Sequence, residues 1–311
     1  MTLPKTSIRP ASAEALFGSA ARGDADALSD RDVLIVDVDV KVLAARSAEL
    51  ESQGASVASY TFAKLIALAA HGALFVQHLK LEAQVTRDVG GRLTRLLADF
   101  SPRADYSADI ADNAALSALA GTVPTGARGM LLAADILYVG VRNHGVLSLA
   151  ERGVHVYGFD AVTAGLETEG LVAPGGTRAL GALRFLKCLY RNGEAGCGTA
   201  VRDTVEAALD VLPPTFFPTH IRALAPSRII DAPPPTGAAA YLVLRDLERR
   251  LVALQALGHD PALDADLARL ARWITNPRAY ASISHRFAPR IQATIAQFAH
   301  DCMPTRSAVA G

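Results

Sequence analysis

"LFGSAARGDADALSDRDVLIV", Leu16 to Val36, decides the reading of this chain. In a sequence built mostly of Ala and Leu, this stretch holds a Gly-Ser step, a polar spacer and an Asp-x-Asp pair. The pair runs directly into apolar, largely β-branched residues. Residues 14–18 read as a short strand and residues 32–38 (DVLIVDV) as a second. Side chains alternate along a strand, so Asp30 and Asp32 are expected on one face. There they repel unless a cation lies between them. Hard oxygen donors of this kind suit Mg²⁺, which takes one or two carboxylates and fills its shell from phosphates and water. Gly18 allows close backbone approach. The Ser19 hydroxyl and the N–H groups that follow it are suited to phosphate oxygens. Metal ligands on one side and phosphate donors on the other make a phosphoryl-transfer arrangement.

The stretch resembles the signature of the polymerase-beta-like nucleotidyltransferases: Gly-Ser, a spacer, then Asp-x-Asp before apolar residues. "LFGS-ARG-SD-D" looks most like the small bacterial members, antibiotic and minimal nucleotidyltransferases among them. The resemblance is clear over residues 15–38 and looser to about residue 88. It implies that Gly18 and Ser19 hold the triphosphate and that Asp30 and Asp32 bind Mg²⁺ (or Mn²⁺). It implies that an NMP, most simply AMP from ATP, passes to an acceptor hydroxyl or similar group. Arg22 belongs to the same signature, as a phosphate contact or a brace for the loop. The acceptor is left open among a small molecule, a protein side chain and a tRNA end.

The family places a third carboxylate on the next strand, as metal ligand and often general base. Here that strand is "SVASYTFAKL", the acid is expected at or near Ala58, and none is present. Glu82, in "LKLEAQV", is the candidate replacement as a metal ligand. The alternative function is a catalytically degenerate nucleotide-binding or regulatory module, antitoxin-like or defence-associated.

Further along, residues 42–53 read as a helix, 56–61 as a third strand, and 62–84 as one or two helices broken near Gly72. After about residue 105 only helical spacing remains, over 107–120, 127–152, 176–192, 199–211, 238–257, 261–274 and 286–302. The expected fold is α+β: a small mixed-sheet nucleotidyltransferase domain over residues 1–104, then an all-helical domain over 105–311. The default ligand site is a cleft between domains.

Other polar residues are weighed against plainer roles. Arg184, Lys187 and Arg191 share one face of the 179–191 helix. The resemblance makes Lys187 the candidate for the triphosphate tail, with Lys80 a weaker one. Arg142, Asn143 and His144 interrupt an apolar helix, and a buried Arg–carboxylate pair is the favoured explanation. His71 and His78 read as capping or surface residues, Trp273 as helical core. His285 and Arg286, opening the last helix, are an open guess for a phosphate or an acidic partner. Asp105, Asp109 and Asp112 are an acidic cluster for a cationic acceptor or simply a solvated surface.

The 311 residues carry 31 basic and 31 acidic side chains. Zero net charge argues against a generally basic nucleic-acid binder. Three cysteines in no zinc spacing read as free thiols in a reducing cytoplasm. No apolar run reaches the roughly 20 residues that span a bilayer. No membrane partner is expected, and homodimerisation is left open.

Overall fold

The computed structural model describes residues 10–27, 29–194, 198–235, 240–274 and 287–302. The fold is α+β and the chain forms two compact units. The first comprises Met1–Tyr106 and Val146–Val162, the second Ser107–Gly145 and Thr163–Gly311. The expected boundary at 104/105 thus lies close to the first division. What sequence reading did not foresee is the return of residues 146–162 to the first unit.

The first unit runs β1 (Ala13–Phe17), α1 (Ser19–Arg22), β2 (Arg31–Asp37), α2 (Val40–Ser52), β3 (Ala55–Thr61), α3 (Phe62–Ala70), α4 (Leu74–Glu82), β4 (Gln84–Asp88) and α5 (Arg92–Asp99). The sheet order is β3-β2-β1-β4, with β2 and β3 parallel and the other pairs antiparallel. β2 is an interior strand covered on both faces, which is why it reads as an unbroken apolar run. Val33 and Ile35 pack on one side with Leu43 and Leu50 of α2. Leu34 and Val36 pack on the other with residues of α3, α4 and α5. α3 and α4 are separated by a bend of 106° beside Gly72, as the expected break near that residue requires. Gly72 has φ +66°, and a Cβ there would lie 2.9 Å from the Arg103 nitrogen.

β4 was not legible. Its residues Gln84 to Arg87 are exposed, so no apolar alternation marks it. Pairing with β1 creates it, with a register irregularity between Glu14 and Ala15.

The second unit holds α6 (Ser107–Ala118), β5 (Thr122–Pro124), most of α7 (Ala127–Ala150), α8 (Phe159–Thr168), which begins in the first unit, α9 (Gly176–Arg191) and α10 (Gly198–Asp210). It continues through β6 (Arg222–Leu224), α11 (Pro226–Ile230), α12 (Ala240–Ala256), α13 (Ala265–Ile274) and α14 (Phe287–Cys302). It is not all-helical: β5 and β6 form a parallel two-stranded ladder. Three-residue strands are too short to leave a period in the sequence. Among the described residues, no single helix is long and apolar enough to cross a membrane.

α12 carries an unusual charge load. Arg245, Asp246, Glu248, Arg249 and Arg250 are all buried. They persist because they are paired. Asp246 accepts from Arg249 at 2.6 Å and Arg250 at 2.7 Å. Arg245 bridges Glu248 at 2.6 Å and Asp135 of α7 at 2.5 Å.

Candidate functional site

β1 ends at Phe17, whose register partner on β2 is Asp32. Gly18 follows with φ 69° and ψ −153°, a backbone region essentially reserved for glycine. It turns the chain into α1, a single helical turn opened by Ser19. An added Cβ on Gly18 would lie 2.8 Å from Asp32 Oδ2. The Gly-Ser step and the second aspartate, separated in sequence by a long spacer, are therefore in direct apposition. Ala21 and Arg22 donate their N–H groups back to the Gly18 carbonyl at 3.1 Å. The N–H groups of Ser19 and Ala20 open the turn, where helices leave donors without intrahelical acceptors. Gly18 offers no side-chain cap to them.

This geometry carries a prediction. Gly18→Ala is expected to destabilise the fold by about 1–3 kcal/mol from backbone strain alone. The contact with Asp32 adds to that. Gly23→Ala is the control, since Gly23 also has positive φ (+80°) but nothing lies within 4 Å of its Cβ position. It is expected to cost only about 1–2 kcal/mol. Denaturant titration of both variants checks the ranking.

Asp32 is half-buried at the start of β2, on the face shared by Leu34 and Val36. Asp30 precedes the strand and is exposed. Mg²⁺ ordinarily takes one or two carboxylates and draws its remaining ligands from water and phosphates. The residues of β3 on the same face as Asp32 are Ser56, Ala58 and Tyr60, because Ala55 and Val57 pack on the opposite side. Ser56 is the register partner of Asp32, and Ala58 that of Leu34. None is acidic. Burial pushes the Tyr60 phenol upward, so it stays protonated at neutral pH. The other carboxylates on the sheet are engaged elsewhere. Glu14 takes Arg46 at 2.9 Å through both oxygens. Asp37 takes the Ser12 N–H and hydroxyl. Asp88 caps α5 by accepting from Leu93 and Thr94. Among the described residues, no group of three or more His, Cys, Asp or Glu is placed to hold a metal ion.

Glu82 stands at the end of α4, committed to two neighbours. Its Oε2 accepts from Arg22 Nη1 at 2.5 Å and lies 2.8 Å from His78 Nε2. Burial pushes this carboxyl up, but His78 and Arg22 outweigh it and hold it below the ordinary value. The structure thus gives Glu82 a guanidinium and an imidazole as partners. Arg22 is likewise occupied: Nε donates to Asp24 at 3.0 Å, Nη1 to Glu82. Its role as brace is the one the geometry favours. His78, expected to cap a helix or lie at the surface, is buried. Its ring stacks on Tyr157 at 4.3 Å and meets Phe17 edge-on at 5.4 Å. His71 is exposed at the C-cap of α3, as expected.

On α9, Lys187 and Arg191 meet side chains of α7. Arg191 donates to both oxygens of Asp135 at 2.8 Å. Lys187 Nζ lies 4.9 Å from the Tyr138 ring centroid. Asp135 and Tyr138 are i and i+3 on α7, while Lys187 and Arg191 are i and i+4 on α9, so two helix faces meet. Lys187 and Arg191 thus face α7 within the second unit. Lys80 is used too, donating to the Ala98 and Phe100 carbonyls at the end of α5.

A buried Arg–carboxylate pair does occur on α7, at Asp135 rather than Arg142. His144 is buried against Phe216 and Phe217, with ring centroids 4.7 and 5.4 Å away. Burial lowers its pKa to about 4. Both phenylalanines come from the Pro-rich stretch "LPPTFFP". Asp105, Asp109 and Asp112 are exposed. The side chains of Trp273 and Cys302, with Cys197, His285 and Arg286, lie outside the described residues.

No family model matches this chain, and no curated protein or solved structure does either.

Proposed function

We propose that this chain is a Mg²⁺-dependent nucleotidyltransferase acting in the cytoplasm, with its nucleotide site in the first unit. One observation carries the reading: Gly18, in a glycine-only conformation, abuts the Asp32 carboxylate. A phosphate-holding turn and a metal-binding carboxylate must be neighbours if one nucleotide is to meet both. The turn offers the Ser19 hydroxyl and the first N–H groups of α1 to phosphate oxygens. Asp30 and Asp32 hold Mg²⁺, which neutralises charge on the triphosphate. In the transfer, an acceptor oxygen attacks the α-phosphorus, the bridging P–O bond breaks, and pyrophosphate leaves. The acceptor proton goes to solvent or to the substrate, since the Asp32 face of β3 holds no carboxylate.

That same face supports the second reading, a nucleotide-binding module of weak or lost turnover. A positioned general base contributes about 10²–10⁴-fold. Ala58→Asp puts a carboxylate on the Asp32 face and is expected to raise transfer at least about 10²-fold. The cost is about 1–3 kcal/mol for a polar group at a half-buried position. Steady-state rates, with a denaturant melt alongside, check both.

The direct test uses α-labelled ATP, GTP, CTP and UTP with Mg²⁺ or Mn²⁺ and fractionated cell extract. Label entering one fraction, with pyrophosphate released, supports transfer and names the base and acceptor class. Bound nucleotide without label in any fraction supports the second reading.

A further inference from the structure

α1 is one turn, Ser19–Arg22. A single turn has too few hydrogen bonds to hold itself. Its shape therefore depends on what it is tied to. Three ties converge on its C-terminal half. Arg22 Nη1 donates to Glu82 Oε2 at 2.5 Å. Gln84 Nε2 donates to the Ala21 carbonyl at 2.5 Å. The chain at Gly158 closes over the guanidinium, since a Cβ on Gly158 would lie 3.0 Å from Arg22 Nη2. Glu82 is itself fixed. His78 lies 2.8 Å from the oxygen that takes Arg22. His78 is in turn clamped between Phe17 and Tyr157. The end of α4, the start of β4 and the returning segment thus form one fixture around the turn that carries Ser19.

We infer that Glu82 is a positioning residue for nucleotide binding: with Gln84 beside it, it anchors Arg22 and so holds the Gly18–Ser19 turn in its binding shape. This rests on the nucleotidyltransferase reading above. It assigns Arg22 to bracing rather than to phosphate contact. Its guanidinium already spans Asp24, Glu82 and the chain at Gly158. Partners one step removed from a bound group typically matter by about 10–100-fold in affinity.

The test compares wild type with Glu82→Gln, Arg22→Met, the Arg22→Met/Glu82→Gln double variant and Gln84→Met. Gln84 is exposed, so its variant folds even if a Glu82 variant does not. MgATP binding is measured by calorimetry, transfer by KM and kcat, and the Ser19–Gly23 amides by hydrogen exchange. Glu82→Gln is expected to raise KM and Kd for ATP about tenfold, with kcat within about twofold. Its turn amides exchange faster, and Gln84→Met moves both readouts the same way. The double variant is no worse than Arg22→Met, because both act through one bond. An unchanged Kd and unchanged exchange in Glu82→Gln and Gln84→Met overturn the inference while leaving the nucleotide reading intact. Additive losses in the double variant overturn it too, since Arg22 then acts apart from Glu82. Wild type that takes no MgATP overturns the nucleotide reading and this inference with it, a result distinguishable because every variant is then equally silent.

Discussion

On the proposed reading, an Asp30→Ala/Asp32→Ala chain is expected to lose nucleotidyl transfer by at least about 10³-fold while keeping its fold. The size follows from the several kcal/mol that a bound metal supplies in charge stabilisation, at about 1.4 kcal/mol per tenfold. Retention of the fold follows from position. Asp30 is exposed and precedes β2, and Asp32 is half-buried at the strand's first residues. The β2 core begins one residue later, at Val33. Label transfer from the preferred α-labelled nucleotide, with a denaturant melt alongside, is the measurement. Wild-type transfer rates in the double variant would remove Asp30 and Asp32 from the chemistry.

The largest effect on stability is expected from Asp135→Ala. Asp135 is fully buried on α7 and accepts from Arg191 and Arg245. Truncating it leaves two guanidinium groups short of their partner. Breaking a buried pair in this way costs about 3–5 kcal/mol. Glu248 does not compensate, because it already takes Arg245 and the Tyr190 hydroxyl. Burial pushes the Asp135 carboxyl up, but Arg245 and Arg191 outweigh it and hold it below the ordinary aspartate value. A carboxyl lowered in the folded state stabilises above its unfolded value. The variant's penalty is therefore fully present above about pH 4. It shrinks only at lower pH, as wild-type Asp135 itself takes a proton. Far-UV circular dichroism followed through a denaturant titration reads this loss. A loss under about 1 kcal/mol at neutral pH would mean the guanidinium groups find other partners.

What the sequence by itself determined is local. The Gly-Ser step, the Asp-x-Asp pair and the apolar run after it were legible because turn chemistry and strand alternation are written in neighbouring residues. The strands at residues 13–17, 31–37 and 55–61 followed from them. So did the absence of an acid at Ala58, which needs only the composition of β3. The long helices were legible from their period.

Only the tertiary structure decided which distant groups meet. β4 carries no pattern of its own and exists because β1 offers it an edge. Glu82, a plausible oxygen ligand in the sequence, is bound to Arg22 and His78. His78 lies in the interior because Phe17 and Tyr157 enclose it, and Tyr157 arrives on a segment that returns from beyond the first unit's main stretch. Arg191 and Lys187 of α9 meet Asp135 and Tyr138 of α7. A charged side chain's sequence position states that it needs a partner or water. Which it receives depends on contacts between residues far apart in the chain, and no local period records them.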